Sequence, residues 1–236
     1  MRRNIPATIL SSVAGFMLLW HAGGSTAQPI LATGPDAEVT EEGLHRVHPS
    51  IMEDAWVRPD LDLSRYTRIL LMPTAVQFRD VPERPYDPRS AVGTTEFPLD
   101  DERQEWFRGV WHQAVDAEFG QEDSYELYEG VGQDVLVVQA FLADVVSHIP
   151  PDYSGSVVTM VRDPWVASVV LELRDATTVE LLARTVDRRY GEGLLDSSEV
   201  WIRTENLLER WAEVVSERLE QLSDLGGRAG TPPLVQ

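Results

Sequence analysis

The chain opens on Arg2 and Arg3, runs apolar over residues 5–20, and then shows little hydrophobic periodicity until about residue 55. A positive start, an apolar middle, and the small residues Ser25 and Ala27 at the −3 and −1 positions of a cleavage site have the order of a secretory leader. An uncleaved anchor is the alternative. The run is shorter than the ~20 apolar residues needed to span a bilayer, and no later segment reaches that length. The pattern thus predicts a signal peptide over residues 1–27, a mature start at Gln28, and an extended arm over residues 28–54 punctuated by Gly34, Pro35, Gly43 and Pro49.

A single domain is predicted over residues 55–225. Residues 68–78 form an apolar run too short for a typical helix, which predicts a buried strand. Pro73 lacks an N–H, so that strand is at an edge, bulged or interrupted there. Pro82, Pro85, Pro88 and Pro98 make residues 79–98 a long surface loop. Asp100, Asp101 and Glu102 then open a helix where acids are favoured, Gly120 closes it, and Phe107, Val110, Trp111, Ala114 and Ala117 share one face.

After a short strand near residues 125–128, residues 134–146 are apolar on both parities. A central strand covered on most of both faces is expected there. Residues 148–164 are irregular, and Val157, Val158, Met160 and Val161 form either an exposed contact surface or a segment folded under the sheet. Ala167, Val169, Leu171 and Leu173 alternate with Ser168, Glu172 and Arg174, as in a half-buried strand, and Asp175-Ala-Thr-Thr178 connects it as a hairpin to a partner ending at Tyr190. Trp201, Leu208, Trp211, Val215, Leu219 and Leu222 stripe a last helix, with Ser197 or Ser198 as N-cap, Gly226-Gly227 as its end, and a flexible tail over residues 226–236. The fold class is α+β: a mostly antiparallel sheet of about five strands against two amphipathic helices, in the order strand, helix, four strands, helix. The first strand and helix suit a crossover into the next strand.

Composition narrows the function. The 236 residues are 43% hydrophobic and carry 39 acids against 20 bases, a formal net charge of −19. Such a field repels phosphate, which excludes a general nucleic-acid binder and disfavours anionic membrane surfaces. All the bases are arginine, explained most simply by a GC-rich genome, with an acidic surface adapted to salt as the second reading. The absence of cysteine excludes thiolate catalysis, Cys-ligated zinc, iron–sulfur clusters, disulfides and a lipid anchor on cysteine.

Several segments taken together carry a resemblance: Asp54-Ala-Trp-Val-Arg-Pro59, Leu63-Ser-Arg-Tyr66, Asp134-Val-Leu-Val-Val138, Leu171-Glu-Leu-Arg-Asp175, Leu182-Ala-Arg184 and Val186-Asp-Arg-Arg189. Over most of residues 40–222 the chain resembles a bacterial envelope family catalogued as domain of unknown function 3313. The resemblance implies export. Many members resemble lipoproteins with a cysteine at the cleavage site, and this chain departs from them there, which favours periplasmic or secreted residence. No catalytic residues come with the resemblance.

Candidate chemistry is sparse. His45 and His48, with Glu41, Glu42 and Asp54 nearby, have a spacing compatible with metal ligation but common in exposed loops, and His112 and His148 read as helix-surface and turn residues. No G-x-S-x-G elbow, P-loop or G-x-G-x-x-G is present. Ser154-Gly-Ser156 reads as a flexible loop, and Gly130-Val-Gly132 precedes a strand rather than a helix. The acidic pairs Asp100-Asp101 and Glu122-Asp123 read as a helix cap and a solvated turn rather than as a glycosidase pair.

Arg174, Arg184, Arg188 and Arg189 concentrate positive charge in the hairpin, and they are the candidate partner-binding residues; Arg184 and Arg188 share a strand parity. The competing reading is internal pairing with Glu172, Asp175 and Asp187. The sequence therefore predicts no cofactor and no metal, and a non-enzymatic binding or assembly module for an unidentified envelope protein or small ligand. A hydrolase assembled from scattered Asp, Glu and His residues is the alternative. Sequencing the exported product from the amino end should read from Gln28; retention of Arg2 and Arg3 would overturn the leader.

Overall fold

Alternating and 3.6-residue apolar patterns become two helices and eleven strands in a computed structural model that describes residues 30–32, 37–48, 53–82, 96–121, 124–150, 160–191, 193–196 and 199–227. In chain order the elements are β1 (Ile30–Leu31), β2 (His45–His48), β3 (Asp54–Val57), β4 (Arg68–Leu71), β5 (Ala75–Phe78), α1 (Asp101–Phe119), β6 (Glu126–Leu127), β7 (Val135–Ser147), β8 (Met160–Arg162), β9 (Trp165–Asp175), β10 (Leu181–Tyr190), β11 (Leu194–Asp196) and α2 (Val200–Leu225). The leader, most of the proline-rich loop, Glu122-Asp123, Ser154-Gly-Ser156, Val157, Val158, Ser197 and Ser198 lie outside the described residues.

Nine strands form one sheet in the order β1-β2-β3-β10-β9-β7-β4-β6, with β5 also on β7, while β8 and β11 pair separately. β4 and β5 run parallel to β7, and β6 parallel to β4; the other pairs are antiparallel. The fold is α+β as the pattern indicated, with more strands than about five. The surplus comes from pieces of two to four residues, too short to print a period. Residues 28–54 supply two of them: β2 pairs with β3 as well as with β1, at the sheet's edge.

Local chemistry explains the longer elements. Pro73 interrupts the first apolar run, so β4 ends at Leu71, β5 begins at Ala75, and both lie along β7. The Asp100 carboxylate accepts from the Arg103 N–H at 2.8 Å and caps α1, which Gly120 ends. Trp111, Val115 and Phe119 are buried at i, i+4 and i+8, whereas Ala117, expected on that face, is exposed. Glu199 occupies the α2 N-cap position without a side-chain capping bond.

β7 is central and has no exposed residue, but its two faces are covered unequally. Leu136, Val138, Ala140 and Leu142 are buried, while Val137, Gln139, Phe141 and Ala143 are half-buried, because both helices pack on one face of the sheet. On that dry face Phe107 lies against Trp165, ring centroids 4.7 Å apart, and Trp201 meets Trp165 and Trp106 edge-on at 5.7 and 5.6 Å. The Trp165 indole N–H donates to Thr204 Oγ1 at 2.9 Å, so its polar atom is satisfied inside the core. Gly226, placed at the start of the expected tail, accepts from the Leu63 N–H at 3.0 Å, and a Cβ there would come within 2.7 Å of Leu63 Cγ. No helix among the described residues is long and apolar enough to cross a membrane.

One charge pair is sealed between α2 and the sheet. Asp187 and Arg218 are 5% and 7% exposed; Arg218 donates Nε to Asp187 Oδ2 at 2.8 Å and its terminal nitrogen to Oδ1 at 3.1 Å. Breaking such a pair from one side leaves an uncompensated buried charge, whereas an apolar replacement of both partners is often neutral. Arg218→Ala should therefore cost about 3–5 kcal/mol in urea unfolding, and an Asp187→Leu/Arg218→Met double variant should recover most of that loss. Equal losses in both variants would show that the pair, not its satisfaction, is what the fold needs.

Candidate binding face

Because the helices occupy one side, the other parity of the same strands forms an open face. Register aligns it: Gln139 and Arg184 each lie opposite Glu172, Phe141 and Val186 opposite Val170, Ala143 and Arg188 opposite Ser168, and Trp56 opposite Arg184. Trp56, Val137, Phe141 and Val186 are half-buried there, a band with no helix over it among the described residues.

The hairpin that carries the arginines is oriented by Asp175. Its Oδ1 accepts from the Thr177 and Thr178 N–H groups at 2.8 Å each, closing the turn, and its Oδ2 accepts from the Tyr66 hydroxyl and from Arg65, both at 2.8 Å. Burial opposes ionisation of Asp175, but these donors hold its carboxyl well below the usual range. Burial pushes the Tyr66 phenol up to about 12.

Three of the four candidate arginines share the open face. Arg184 Nε and Arg174 each donate to Glu172 at 2.8 Å, so one carboxylate, 7% exposed, serves two guanidinium groups; Glu42 stands 3.4 Å from Arg184. Arg188 donates to Asp144 Oδ2 at 2.8 Å, and Arg79 Nε donates to the same carboxylate at 2.6 Å. Arg189 has the opposite parity and stands 3.5 Å from Asp187 on the helix side. The internal pairing weighed from sequence is thus present for Glu172 and Asp187, but Asp175 takes Arg65 instead, and Arg188 finds Asp144.

Asp144 and Arg79 are the members that sequence reasoning missed. The pairing of β7 with β9 shifts register between Ala143 and Val146, and Asp144 takes φ +55°, a left-handed value unusual for a side-chain-bearing residue. This bulge places the carboxylate between two arginines. Hydrogen bonding from Arg79, then Arg188, outweighs desolvation and lowers the Asp144 pKa to about 2. The available signal was one acid inside an otherwise apolar run. Among the described residues, no group of three or more His, Asp or Glu side chains is placed to hold a metal ion. His45 is tied to the Ala32 carbonyl at 2.9 Å, His148 to the Asp163 carbonyl at 2.8 Å, and His112 stands 3.3 Å from Asp116, far apart in the fold.

The sequence profile of the family described as "Protein of unknown function (DUF3313)" matches residues 48–215, which include both shared-carboxylate sites. The chain belongs to this family. No curated protein matches it. Among solved structures, a PelC dodecamer from Paraburkholderia phytofirmans is 11% identical, covering 63% of this chain and 87% of that one, with a TM-score of 0.26. A neuraminyllactose-binding hemagglutinin homolog from Helicobacter pylori is 9% identical, covering 67% and 94%, with a TM-score of 0.30. Similarity at this level transfers no function to this DUF3313 chain.

The carboxylates set the acid response. Asp144 and Asp134 are each lowered from 3.8 to about 2, the latter chiefly by Arg68, so the folded state binds fewer protons than the unfolded chain below pH 4. Their contribution is present above the unfolded value and is lost as pH falls from about 4 to 2. Urea midpoints measured across that window should decline, and Asp144→Asn should flatten the decline; an unaltered slope in the variant would remove Asp144 from the account.

Proposed function

We propose that the protein is a non-enzymatic binding or assembly module of the bacterial cell envelope, exported and then held to a partner protein through the open face of its sheet. The supporting observation is the combination on that face: a half-buried band of Trp56, Val137, Phe141 and Val186 lies beside two carboxylates, each shared by two arginines. Arg174 also reaches the Val179 carbonyl, Arg184 Glu42 and Arg188 the Ser168 hydroxyl, and a guanidinium with five N–H donors does not exhaust them on these bonds. Arg174, Arg184 and Arg188 therefore keep donors for a partner's acids or carbonyls, while the apolar band supplies the desolvated centre of a contact. Arg189, on the helix side, is not part of this surface.

Prearranged pairing also fits recognition better than nucleophilic or acid–base chemistry. Guanidinium groups stay charged at any physiological pH, and neighbouring acids hold them in fixed geometry, which gives specificity and register rather than a proton to move.

A photo-crosslinking residue at Val186 should give a discrete adduct in intact cells of the source bacterium, and one at Glu209, on the exposed side of α2, should not. Adducts from both positions, or from neither, would overturn the assignment of the face.

A further inference from the structure

We infer that a second site, a cleft between the end of β5 and the first turns of α1, binds a small organic anion. The cleft is open to solvent on one side and has a volume of about 380 Å³, within the range of about 300–1,000 Å³ that small-molecule sites occupy. Its walls are Phe78, Val81, Phe97, Pro98, Leu99 and Val145. Arg79, Asp80, Gln104, Arg108 and Ser147 complete the lining. Most of the surface the cleft presents is polar, and the apolar walls contribute the smaller share. The site is on the helix side of the sheet, and Arg79 in its lining shares Asp144 with Arg188 of the open face.

The fold builds the cleft from both ends of a connection. Arg79 donates its backbone N–H to the Val145 carbonyl at 2.9 Å and Phe97 donates to the Ser147 carbonyl at 2.8 Å, so the chain leaves and returns along the same strand, β7. Phe78 is braced from behind by Phe107, ring centroids 5.6 Å apart. Gln104 donates to the Leu99 carbonyl at 3.0 Å and accepts from Arg108 at 3.0 Å, which fixes both the lip and the guanidinium.

The anion preference rests on Arg108. Its guanidinium carbon lies 5.1 Å from the Phe78 ring centroid, and the acid paired with it is Glu105, 3.6 Å away with a side chain 81% exposed. Exposed pairs of that kind are weak. Arg79, by contrast, is engaged by Asp144 and by Glu96 at 2.5 Å. Arg108 therefore has donors to give, aimed by Gln104 and backed by an aromatic ring, the arrangement that suits a planar carboxylate. The acidity of the whole chain does not forbid this, because charges beyond about 8 Å are screened at physiological ionic strength. Asp80 on the rim opposes an anion and makes a second test.

The probes are 4-phenylbutyrate and its neutral amide, titrated calorimetrically into the full chain. The carboxylate should bind saturably, and Arg108→Gln should weaken it about tenfold, the loss of roughly one charge-assisted hydrogen bond, while leaving the amide unchanged. Asp80→Asn should tighten the carboxylate several-fold, and Leu99→Trp should abolish binding of both by filling the cleft. Thermal midpoints within a few degrees of the parent would show that each variant is folded; for any variant that is not, the amide-to-carboxylate ratio of the parent protein decides. No saturable binding, equal affinity for acid and amide, or an Arg108→Gln variant that binds as the parent does would each overturn the inference.

Discussion

One parity of three long strands lies beneath two helices and the other does not, and most of the molecule follows from that asymmetry. Alternation sends Leu136, Val138, Ala140 and Leu142 of β7 and Ala167, Val169, Leu171 and Leu173 of β9 beneath two amphipathic helices. A slip of one residue in register would carry all of them to the wet side at once, so the pairing is strongly specified. Each fully buried apolar side chain contributes on the order of 1.5–3 kcal/mol before entropy is subtracted. The same alternation obliges Phe141, Val186, Glu172, Arg184 and Arg188 to share the other face, whatever they are used for.

Charge is distributed in two different ways around this core. Asp187 and Arg218 are enclosed and matched atom for atom, an arrangement that positions α2 across β10 and whose net worth depends on both partners being present. On the open face the pairing is shared: Glu172 and Asp144 each serve two arginines, and Glu42 and Glu96 also reach Arg184 and Arg79. With Glu42 on Arg184 and Glu96 on Arg79 counted, each group of two guanidiniums is balanced by two acids, in a chain with about twice as many acids as bases. The exposed members of these groups contribute little to stability.

The bulge at Asp144 links the two surfaces discussed above. Its carboxylate receives Arg188 from the open face and Arg79 from the end of β5, where the cleft beside α1 begins. An irregularity that re-aims a side chain is a common companion of function in sheets. The cleft and the open face therefore meet at one carboxylate, held in an unusual backbone conformation by the strands on both sides.

Periodicity and punctuation in the amino-acid sequence determined the α+β class, the two helices, the capping role of Asp100, the interruption at Pro73, the β9–β10 hairpin and the shared parity of Arg184 and Arg188. These are local properties, set by side-chain volume, missing N–H groups and alternation within a few residues. Edge strands of two to four residues, the rotation of α1 that buries Val115 and Phe119 while exposing Ala117, and the unequal cover of β7 were decided by the tertiary structure, because each depends on which element packs against which. So were the partners of the arginines: Arg188 and Arg79 meet at Asp144 only when three strands are laid side by side, and no spacing along the chain encodes that meeting.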